Sequence, residues 1–409
     1  AKTHYSNRSP VIRGVTLRGG SVEGAGYVGG LVGNLEIPAD DIQVKETQIV
    51  ASASYVGGLF GRIKNQSFRN LVFDGLIHVK NTQSVDYIGG FFSWSSTHSQ
   101  IALEDSYSSG NIIVDGDARY VGGLAGRLGW YNYGGNSRHL YHSGSILIKG
   151  HGQWVGGIAG LSGGTNDDND IRDLYNQGAI TIQDGGKNIG GLFGQVGSSN
   201  DDNQIHRVFS TGSLNLTGDF QNVGGLIGRL GGANDDSTVS DTYSTTNIAL
   251  NSESSYVGGL IGWAGYTNNP IRISKSYASG DISARSQVGG LLGLFSFTNS
   301  PISLSDSFAT GDVSGTGTNI GSLAGVLGYI RSFTVTLTNV SYFSPSGLAV
   351  CGGNGKATDC PSVSSESEYH SFSAFDYGST WRTDGGSLPT LQCPGSWPFD
   401  CSTTWNLHR

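Results

Sequence analysis

The 409-residue chain contains no methionine, few charged residues and no long apolar segment, and these shortages exclude several classes of protein. Charged residues make up only 14% of the sequence, and long straight-chain helix formers are scarce beside Val, Ile, Thr, Ser, Tyr and Phe. Such a composition favours strands and turns over helices. No apolar run reaches the length of about 18 residues that a membrane-spanning helix needs. We therefore expect an all-β protein without a transmembrane helix.

Basic clusters are also missing. The formal net charge is −8 and the sequence pI is about 5.5, and no stripe of Lys and Arg is present to bind a phosphate backbone. This charge pattern argues against nucleic acid as a partner. The chain begins with the polar stretch AKTHYSNRSP rather than with a signal peptide, so we expect a processed, soluble chain.

Cysteines are few and lie near the C-terminal end, at Cys351, Cys360, Cys393 and Cys401. Their spacings are not the C-x-x-C of zinc sites. Of the three possible disulfide connectivities, we favour two short loops, Cys351 to Cys360 and Cys393 to Cys401. Such loops imply an oxidising compartment, periplasmic or extracellular. The alternative is four reduced, structural cysteines.

Glycine is abundant, with 66 residues, but no G-x-y triplet runs through the chain, so a collagen-like fold is excluded. Glycines recur instead within a repeated motif, and the steps between successive copies are 28 to 34 residues, with four consecutive steps of 34. This spacing defines ten internal repeats. The first glycine of the motif in each copy is Gly29, Gly57, Gly89, Gly122, Gly156, Gly190, Gly224, Gly258, Gly289 and Gly321.

Two further markers recur in phase with the glycine motif. An aromatic residue and an asparagine each return at steps of 34 residues, with one step of 31 in each series. The aromatic series is Tyr107, Tyr141, Tyr175, Phe209, Tyr243, Tyr277, Phe308 and Tyr342. The asparagine series is Asn166, Asn200, Asn234, Asn268 and Asn299.

These repeats predict an all-β solenoid. Glycine pairs and β-branched residues would destabilise a helical repeat throughout, and propellers have roughly four to eight longer blades. Each unit offers three strand-like pieces, which predict a right-handed parallel β-helix of about ten coils, with the glycine pair at a corner. The predicted divisions are an N-terminal capping segment at 1–26, the repeat region at 27–345, and a C-terminal cap with two short disulfide loops at 346–409.

Equivalent residues of successive coils stack about 4.8 Å apart in such a solenoid. The aromatic series is therefore predicted to form a column of stacked rings inside the coil. The asparagine series is predicted to form a ladder of turns, because asparagine tolerates left-handed backbone conformations.

The repeated segments YVGGLVG (27–33), YVGGLFG (55–61), YVGGLAG (120–126), NVGGLIG (222–228) and YVGGLIG (256–262) resemble the GLUG motif. This motif occurs in bacterial surface adhesins and in non-catalytic parts of immunoglobulin A peptidases. The resemblance extends over about 27–345, with departures at Ser93, which replaces the last motif glycine, and at Ser322, which replaces the second. It implies a bacterial protein in an extracellular or cell-surface location with a binding role, and it transfers no catalytic residues.

An acidic step that follows three of the repeats is a candidate metal site. At about 4.8 Å, stacked carboxylates repel by about 3.5 kcal/mol at an effective dielectric near 20, so a partly buried ladder would need a cation. Calcium takes oxygen ligands and suits such a ladder. The alternative is an acidic turn in solvent, and near-identical rungs argue against a catalytic pair. The residues are Asp167, Asp168, Asp201, Asp202, Asp235 and Asp236.

A second candidate site is the residue just before the motif, which is aromatic in five consecutive repeats. If these side chains point outward, they form a strip on which sugar rings or an apolar partner surface could stack. Alternatively, they cover the bend or pack beneath a loop. The residues are Tyr27, Tyr55, Tyr87, Tyr120 and Trp154.

No HExxH, G-x-S-x-G or phosphate-loop motif is present, so we expect no enzymatic activity. The leading hypothesis is a secreted or surface-displayed protein that binds an extracellular glycan or a surface protein. One alternative is a polysaccharide lyase or glycoside hydrolase on a β-helix scaffold, which rests on analogy of fold. Another is a subunit of an extracellular filament, because open solenoid ends expose unpaired strand edges and allow self-association.

Overall fold

The fold was analysed in a computed structural model. It describes residues 11–64, 67–96, 101–129, 135–166, 168–250, 253–266, 268–295, 301–328, 335–348, 351–352, 360–383 and 386–392. Within these ranges, parallel strands form a β-solenoid and the single helix is a short 3-10 turn at Glu366–Tyr369. The predicted all-β parallel β-helix is confirmed.

The largest sheet has sixteen strands and contains the long strand of each coil, together with the short strand that follows it in the earlier coils. Its strands are Ile12–Arg18, Ser21–Gly24, Ala39–Ala51, Phe68–Val79, Ile101–Ser108, Asn111–Val114, Gly135–His142, Ile146–Ile148, Asp168–Asn176, Ile180–Ile182, Asp202–Ser210, Leu214–Leu216, Asp236–Ser244, Ile271–Ala278, Ile302–Ala309 and Val335–Tyr342. The short strands of the later coils form a separate three-stranded sheet, Ile248–Ala249, Ile282–Ala284 and Val313–Gly315.

The repeated motif forms two ten-stranded parallel sheets, with one strand of each sheet in every copy. The strands that precede the glycine corner are Val28–Gly29, Val56–Gly57, Val85–Gly89, Ala118–Gly122, Gly152–Gly156, Gly186–Gly190, Phe220–Gly224, Ser255–Gly258, Ser286–Gly289 and Ile320–Gly321. The strands that follow it are Val32–Leu35, Phe60–Lys64, Phe92–Ser96, Ala125–Leu128, Ala159–Ser162, Phe193–Val196, Ile227–Leu230, Ile261–Ala264, Leu292–Phe295 and Ala324–Leu327. A full coil therefore has four strands rather than the predicted three, because the glycine corner divides the motif.

Close contact with neighbouring backbone explains the glycine pair. A Cβ atom added at Gly157 would lie 2.4 Å from the carbonyl oxygen of Gly191 in the next coil and 2.3 Å from Cγ of Asn176. Gly156 is equally restricted, since its Cβ would lie 2.4 Å from the carbonyl oxygen of Ala159. Serine replaces the second glycine only in the last copy, at Ser322.

A continuous apolar core fills the coil. Its members alternate with outward-facing residues along the strands, as in Ile180–Ile182, where both isoleucines are buried and the threonine between them is half-buried. Buried apolar side chains that stack from coil to coil supply the main stabilisation, at roughly 25 cal/mol per Å² of apolar surface removed from water.

The two ends of the solenoid differ. Cys351 accepts backbone hydrogen bonds from Leu323 (3.2 Å) and Ala324 (2.9 Å), so the C-terminal segment adds to the last coil. At the other end, Ile12–Arg18 and Ser21–Gly24 already pair with Ala39–Ala51, although they fall in the segment predicted to be an N-terminal cap. Among the described strands, these two have no partner on their other side.

Candidate binding site

The five aromatic residues that precede the motif lie side by side along one corner of the solenoid. Ring centroids of successive members are 5.0, 5.3, 4.7 and 4.6 Å apart. Tyr27 is 43% exposed and the other four are partly exposed. The structure therefore brings together Tyr27, Tyr55, Tyr87, Tyr120 and Trp154 as one row of side chains that reaches solvent.

The backbone of this row is left-handed at every member except Tyr27. The φ angles are 57° at Tyr87, 57° at Tyr120 and 53° at Trp154. Bulky residues rarely adopt this conformation, which costs about 1–2 kcal/mol per residue. Asn188 and Asn222 continue the column with φ angles of 58° and 59°, and asparagine tolerates this region more readily. Contacts between neighbouring rings must offset the strain where the residue is aromatic.

Ring stacking determines which part of each side chain a ligand meets. Tyr120 is within 5° of parallel to both Tyr87 and Trp154, so the faces of the rings are turned towards each other. The ring edges rather than the ring faces are therefore turned towards solvent. Burial raises the pKa of Tyr87 and of Tyr120 above the ordinary value, which keeps both hydroxyl groups protonated and able to donate hydrogen bonds.

A second column lies beside the row and was not predicted. Arg62, Trp94 and Arg127 occupy matching positions on neighbouring strands. The guanidinium carbon of Arg62 is 5.7 Å from the ring centroid of Tyr27 and 5.1 Å from that of Trp94, distances at which cation–π attraction operates. The recurrence of large side chains directly after the last position of the motif was the available signal. We call the two columns together the corner face.

The buried aspartates of the acidic step serve the turns. Asp201 and Asp235 are only 2% and 1% exposed, so the expectation of an acidic turn in solvent is wrong for them. Asp235 accepts backbone hydrogen bonds from Asp201 (3.1 Å) and Gly232 (2.5 Å), and Asp201 accepts one from Ser198 (2.8 Å). Burial raises the pKa of Asp235. Backbone amides thus stabilise these buried carboxylates, which a cation was expected to do.

The other aspartates of this step lie closer to solvent. Asp168, Asp202 and Asp236 pair in register, and Asp236 Oδ1 lies 2.6 Å from Nη1 of Arg272. Asp167 lies outside the described residues. No group of three His, Cys, Asp or Glu side chains in the described part of the chain is arranged to hold a metal ion. The calcium hypothesis therefore has no ligand cluster to support it there.

The asparagine series forms a ladder of left-handed residues, as predicted. The φ angles at Asn166, Asn200, Asn234 and Asn268 are 59°, 56°, 58° and 51°. From Asn200 onward, each Nδ2 group donates to Oδ1 of the asparagine in the preceding coil, at 2.9, 3.0 and 2.9 Å. Asn299 lies outside the described residues.

The aromatic column lies on the outside of the coil, so the prediction of an internal column is wrong. Its rings stack at 4.3 to 5.1 Å from Tyr141 to Phe308 and form an apolar cluster separate from the coil core. The C-terminal segment covers them with Trp381 and Leu391. Tyr342 does not continue the column, because it pairs in register with an alanine rather than with Phe308.

A ladder of charged residues, also not predicted, runs beside this column. His139 Nδ1 lies 2.7 Å from Asp105 Oδ1, and Arg207 Nε lies 2.7 Å from Asp173 Oδ1. Acidic residues alternate with basic ones at the repeat spacing, two positions before the aromatic residue, which was a readable signal. The members are Asp105, His139, Asp173, Arg207, Asp241, Lys275 and Asp306, all with φ angles of 48° to 58°.

The disulfide between Cys351 and Cys360 is confirmed, with Cα atoms 6.1 Å apart. Cys393 and Cys401 lie outside the described residues, so the second predicted loop stays a prediction. Among the described helices, none is long and apolar enough to cross a membrane.

These features define a repetitive parallel β-solenoid with a row of stacked aromatic residues along one corner. A family model described as the GLUG motif matches residues 253–283, which include the copy YVGGLIG. The chain therefore carries the GLUG motif that the repeated segments resemble. No curated protein and no solved structure gave a significant match to the chain.

Proposed function

We propose that the chain is an extracellular, non-catalytic protein that binds a linear glycan along the corner face. The observation that carries the proposal is the unbroken row of five rings from Tyr27 to Trp154, with Arg62 and Arg127 beside it. Ring edges recur at about the 4.8 Å strand spacing, which suits a polymer of regularly placed hydroxyl groups.

Two further observations support this proposal. The Cys351–Cys360 disulfide is typical of proteins from an oxidising compartment, such as the cell exterior. The GLUG motif resembles segments of bacterial surface adhesins, which agrees with a binding role at a bacterial cell surface.

Binding of the purified chain to a panel of linear glycans and surface glycoproteins tests the proposal. The informative variant is the double substitution Tyr87→Asn and Tyr120→Asn. Asparagine is the natural residue at the equivalent positions 188 and 222, with the same left-handed backbone, so the fold should be retained. Gln287→Asn changes the same column away from the row and is the matched control.

We expect the double variant to lose at least about tenfold in affinity, because central aromatic residues dominate binding energies, while Gln287→Asn binds normally. Full binding by the double variant would contradict the proposal. New reducing or unsaturated ends would show catalysis. Glu366, His370 and Arg382 line a cavity of about 540 Å³ beside the aromatic column, so Glu366→Gln is the variant that would assign such turnover.

A filament subunit is the second candidate. The edge at Ile12–Arg18 and Ser21–Gly24, which no other described strand covers, favours it. An unpaired strand edge is a template for pairing with another chain. Sedimentation and electron microscopy of the full chain at rising concentration test this candidate. Thr16→Pro removes a backbone donor that faces the free edge, because the amide of Gly19 faces Ala39–Ala51 and successive amides of a strand alternate in direction. This variant should shorten any filaments. A monomer at every concentration would exclude this role.

A further inference from the structure

Arg229 lies in the strand Ile227–Leu230, between Gln195 in the preceding coil and Trp263 in the next. The register of the strands places it in the same column as Arg127, further along the corner face. Its guanidinium carbon is 4.8 Å from the ring centroid of Trp263 and 5.1 Å from that of Tyr266. Tyr266 is 41% exposed, so this group of side chains reaches solvent.

The guanidinium group of Arg229 has no counter-ion within ion-pair distance in the described part of the chain, and its buried Nε has no hydrogen-bond partner there. By contrast, Arg207 Nε lies 2.7 Å from a carboxylate oxygen of Asp173. Asp235 interacts electrostatically with Arg229, but its oxygens accept backbone hydrogen bonds. Burial lowers the pKa of Arg229, which shows that water compensates its charge incompletely.

The preceding coil has a hydrogen-bond network at the position equivalent to Arg229. There, Oε1 of Gln195 accepts hydrogen bonds from Trp154 Nε1 (2.8 Å) and Asn188 Nδ2 (3.1 Å). Arg229 occupies the place of Gln195, but its side chain carries only donors and cannot accept such hydrogen bonds. Asn222 donates to Asn188 Oδ1 (2.6 Å), and its own buried Oδ1 has no hydrogen-bond partner among the described residues. The hydrogen bonds that Gln195 completes in one coil are therefore not formed at Arg229 in the next.

We propose that Arg229, flanked by Trp263 and Tyr266, binds an anionic group of an acidic saccharide, either a carboxylate or a sulfate. The planar guanidinium fork matches such oxyanions, and the flanking rings exclude water, which strengthens the ion pair. The exposed ring of Tyr266 lies beside the anion site and is available to a sugar ring. Tyr256 precedes the motif in its own copy, as the members of the row do, and its ring centroid is 5.9 Å from that of Trp263, so this site lies along the same corner of the solenoid.

This inference rests on the proposed function for its saccharide class, and it names the chemistry of that ligand. The net charge of −8 opposes long-range attraction of an anion, so the selectivity must come from local contacts at Arg229. The anion contact and the row of rings are therefore separable by substitution.

Titration calorimetry of the full chain with tetragalacturonate tests the inference, with the methyl ester of the same oligosaccharide as the uncharged control. Galactose 6-sulfate and galactose form the matched sulfate pair. Arg229→Gln introduces the residue found at the same place one coil earlier, so the fold should be kept, and urea unfolding checks this. Arg229→Lys retains the positive charge but loses the planar pair of donors that can bind an oxyanion bidentately.

We expect the native chain to bind an acidic probe at least about tenfold more tightly than its neutral partner. Arg229→Gln should abolish that preference, and Arg229→Lys should weaken it. The Tyr87→Asn and Tyr120→Asn variant should retain the preference, which separates this inference from the proposed function. Preference only for galactose 6-sulfate would assign the site to sulfate. An undiminished preference in a folded Arg229→Gln variant, or none in the native chain, would overturn the inference.

Discussion

The ring of Tyr369 stacks on the ring of Phe308, with centroids 4.1 Å apart and planes 5° from parallel. Phe308 ends the column contributed by the coils, and Tyr369 belongs to the C-terminal segment. Its hydroxyl group also donates to Ser341 Oγ at 3.0 Å. The C-terminal segment therefore extends the column by one ring, in the place that the sequence spacing had predicted for Tyr342.

Loss of this ring should loosen the C-terminal segment. Tyr369→Ala removes a side chain that is only 1% exposed, and we expect it to lower the free energy of unfolding by about 3–5 kcal/mol. Tyr369→Phe keeps the stacked ring and loses one hydrogen bond, so its effect should be about 1 kcal/mol. Urea unfolding measures both. Equal losses in the two variants would show that the hydroxyl group, not stacking, holds the segment.

His142 should make stability depend on pH. Burial lowers the pKa of His142 to about 4, against the hydrogen bond between its Nδ1 and Asn176 Oδ1. As pH falls, the unfolded chain takes up the proton first, near the ordinary value of about 6.5. The contribution of His142 is therefore fully present above about pH 6.5 and is lost towards pH 4, by up to about 3 kcal/mol.

The variant His142→Asn tests this dependence, because asparagine is buried at the equivalent position 176. Unfolding free energies at about pH 7.5, 5.5 and 4.5 should fall less steeply for the variant than for the native chain. His151→Asn changes a more exposed histidine and is the control, which should keep the native slope. Parallel pH profiles for the native chain and His142→Asn would refute the assignment.

Gly157→Ala should destabilise the solenoid strongly, since the new methyl group would overlap the carbonyl oxygen of Gly191 and the side chain of Asn176. We expect a loss of about 3 kcal/mol or more. Gly26→Ala is the control, because no atom lies within 4 Å of its added Cβ. Thermal unfolding compares the two, and a normal transition for Gly157→Ala would contradict the close approach of the coils.

The ion pair between Arg207 and Asp173 should contribute measurably, because the side chains are only 25% and 12% exposed. A double-mutant cycle with alanine at both positions is expected to give a coupling energy above about 1 kcal/mol. The more exposed pair of Arg172 and Asp170, at 47% and 34%, is the matched control and should give less than about 0.5 kcal/mol. Equal coupling energies for the two pairs would show that burial does not strengthen the ion pair between Arg207 and Asp173.

Much of the candidate site was readable from the repeat spacing. The row from Tyr27 to Trp154 follows from the fixed place of each residue before the motif, because equivalent residues of a solenoid must stack. Arg62, Trp94 and Arg127 have the same spacing and were equally readable. The burial of Asp235 was not, since the spacing alone does not show that backbone amides enclose its carboxylate.

The sequence by itself determined the solenoid, the stacking of equivalent residues and the left-handed asparagine ladder, because each follows from local conformation and a constant repeat length. Tertiary structure decided that the aromatic column lies outside the coil and that Tyr369 replaces Tyr342 at its end. It also decided that Arg229 lies beside two aromatic rings and forms no ion pair with any other described residue. These outcomes depend on where distant segments pack, and a periodic pattern carries no information about that packing.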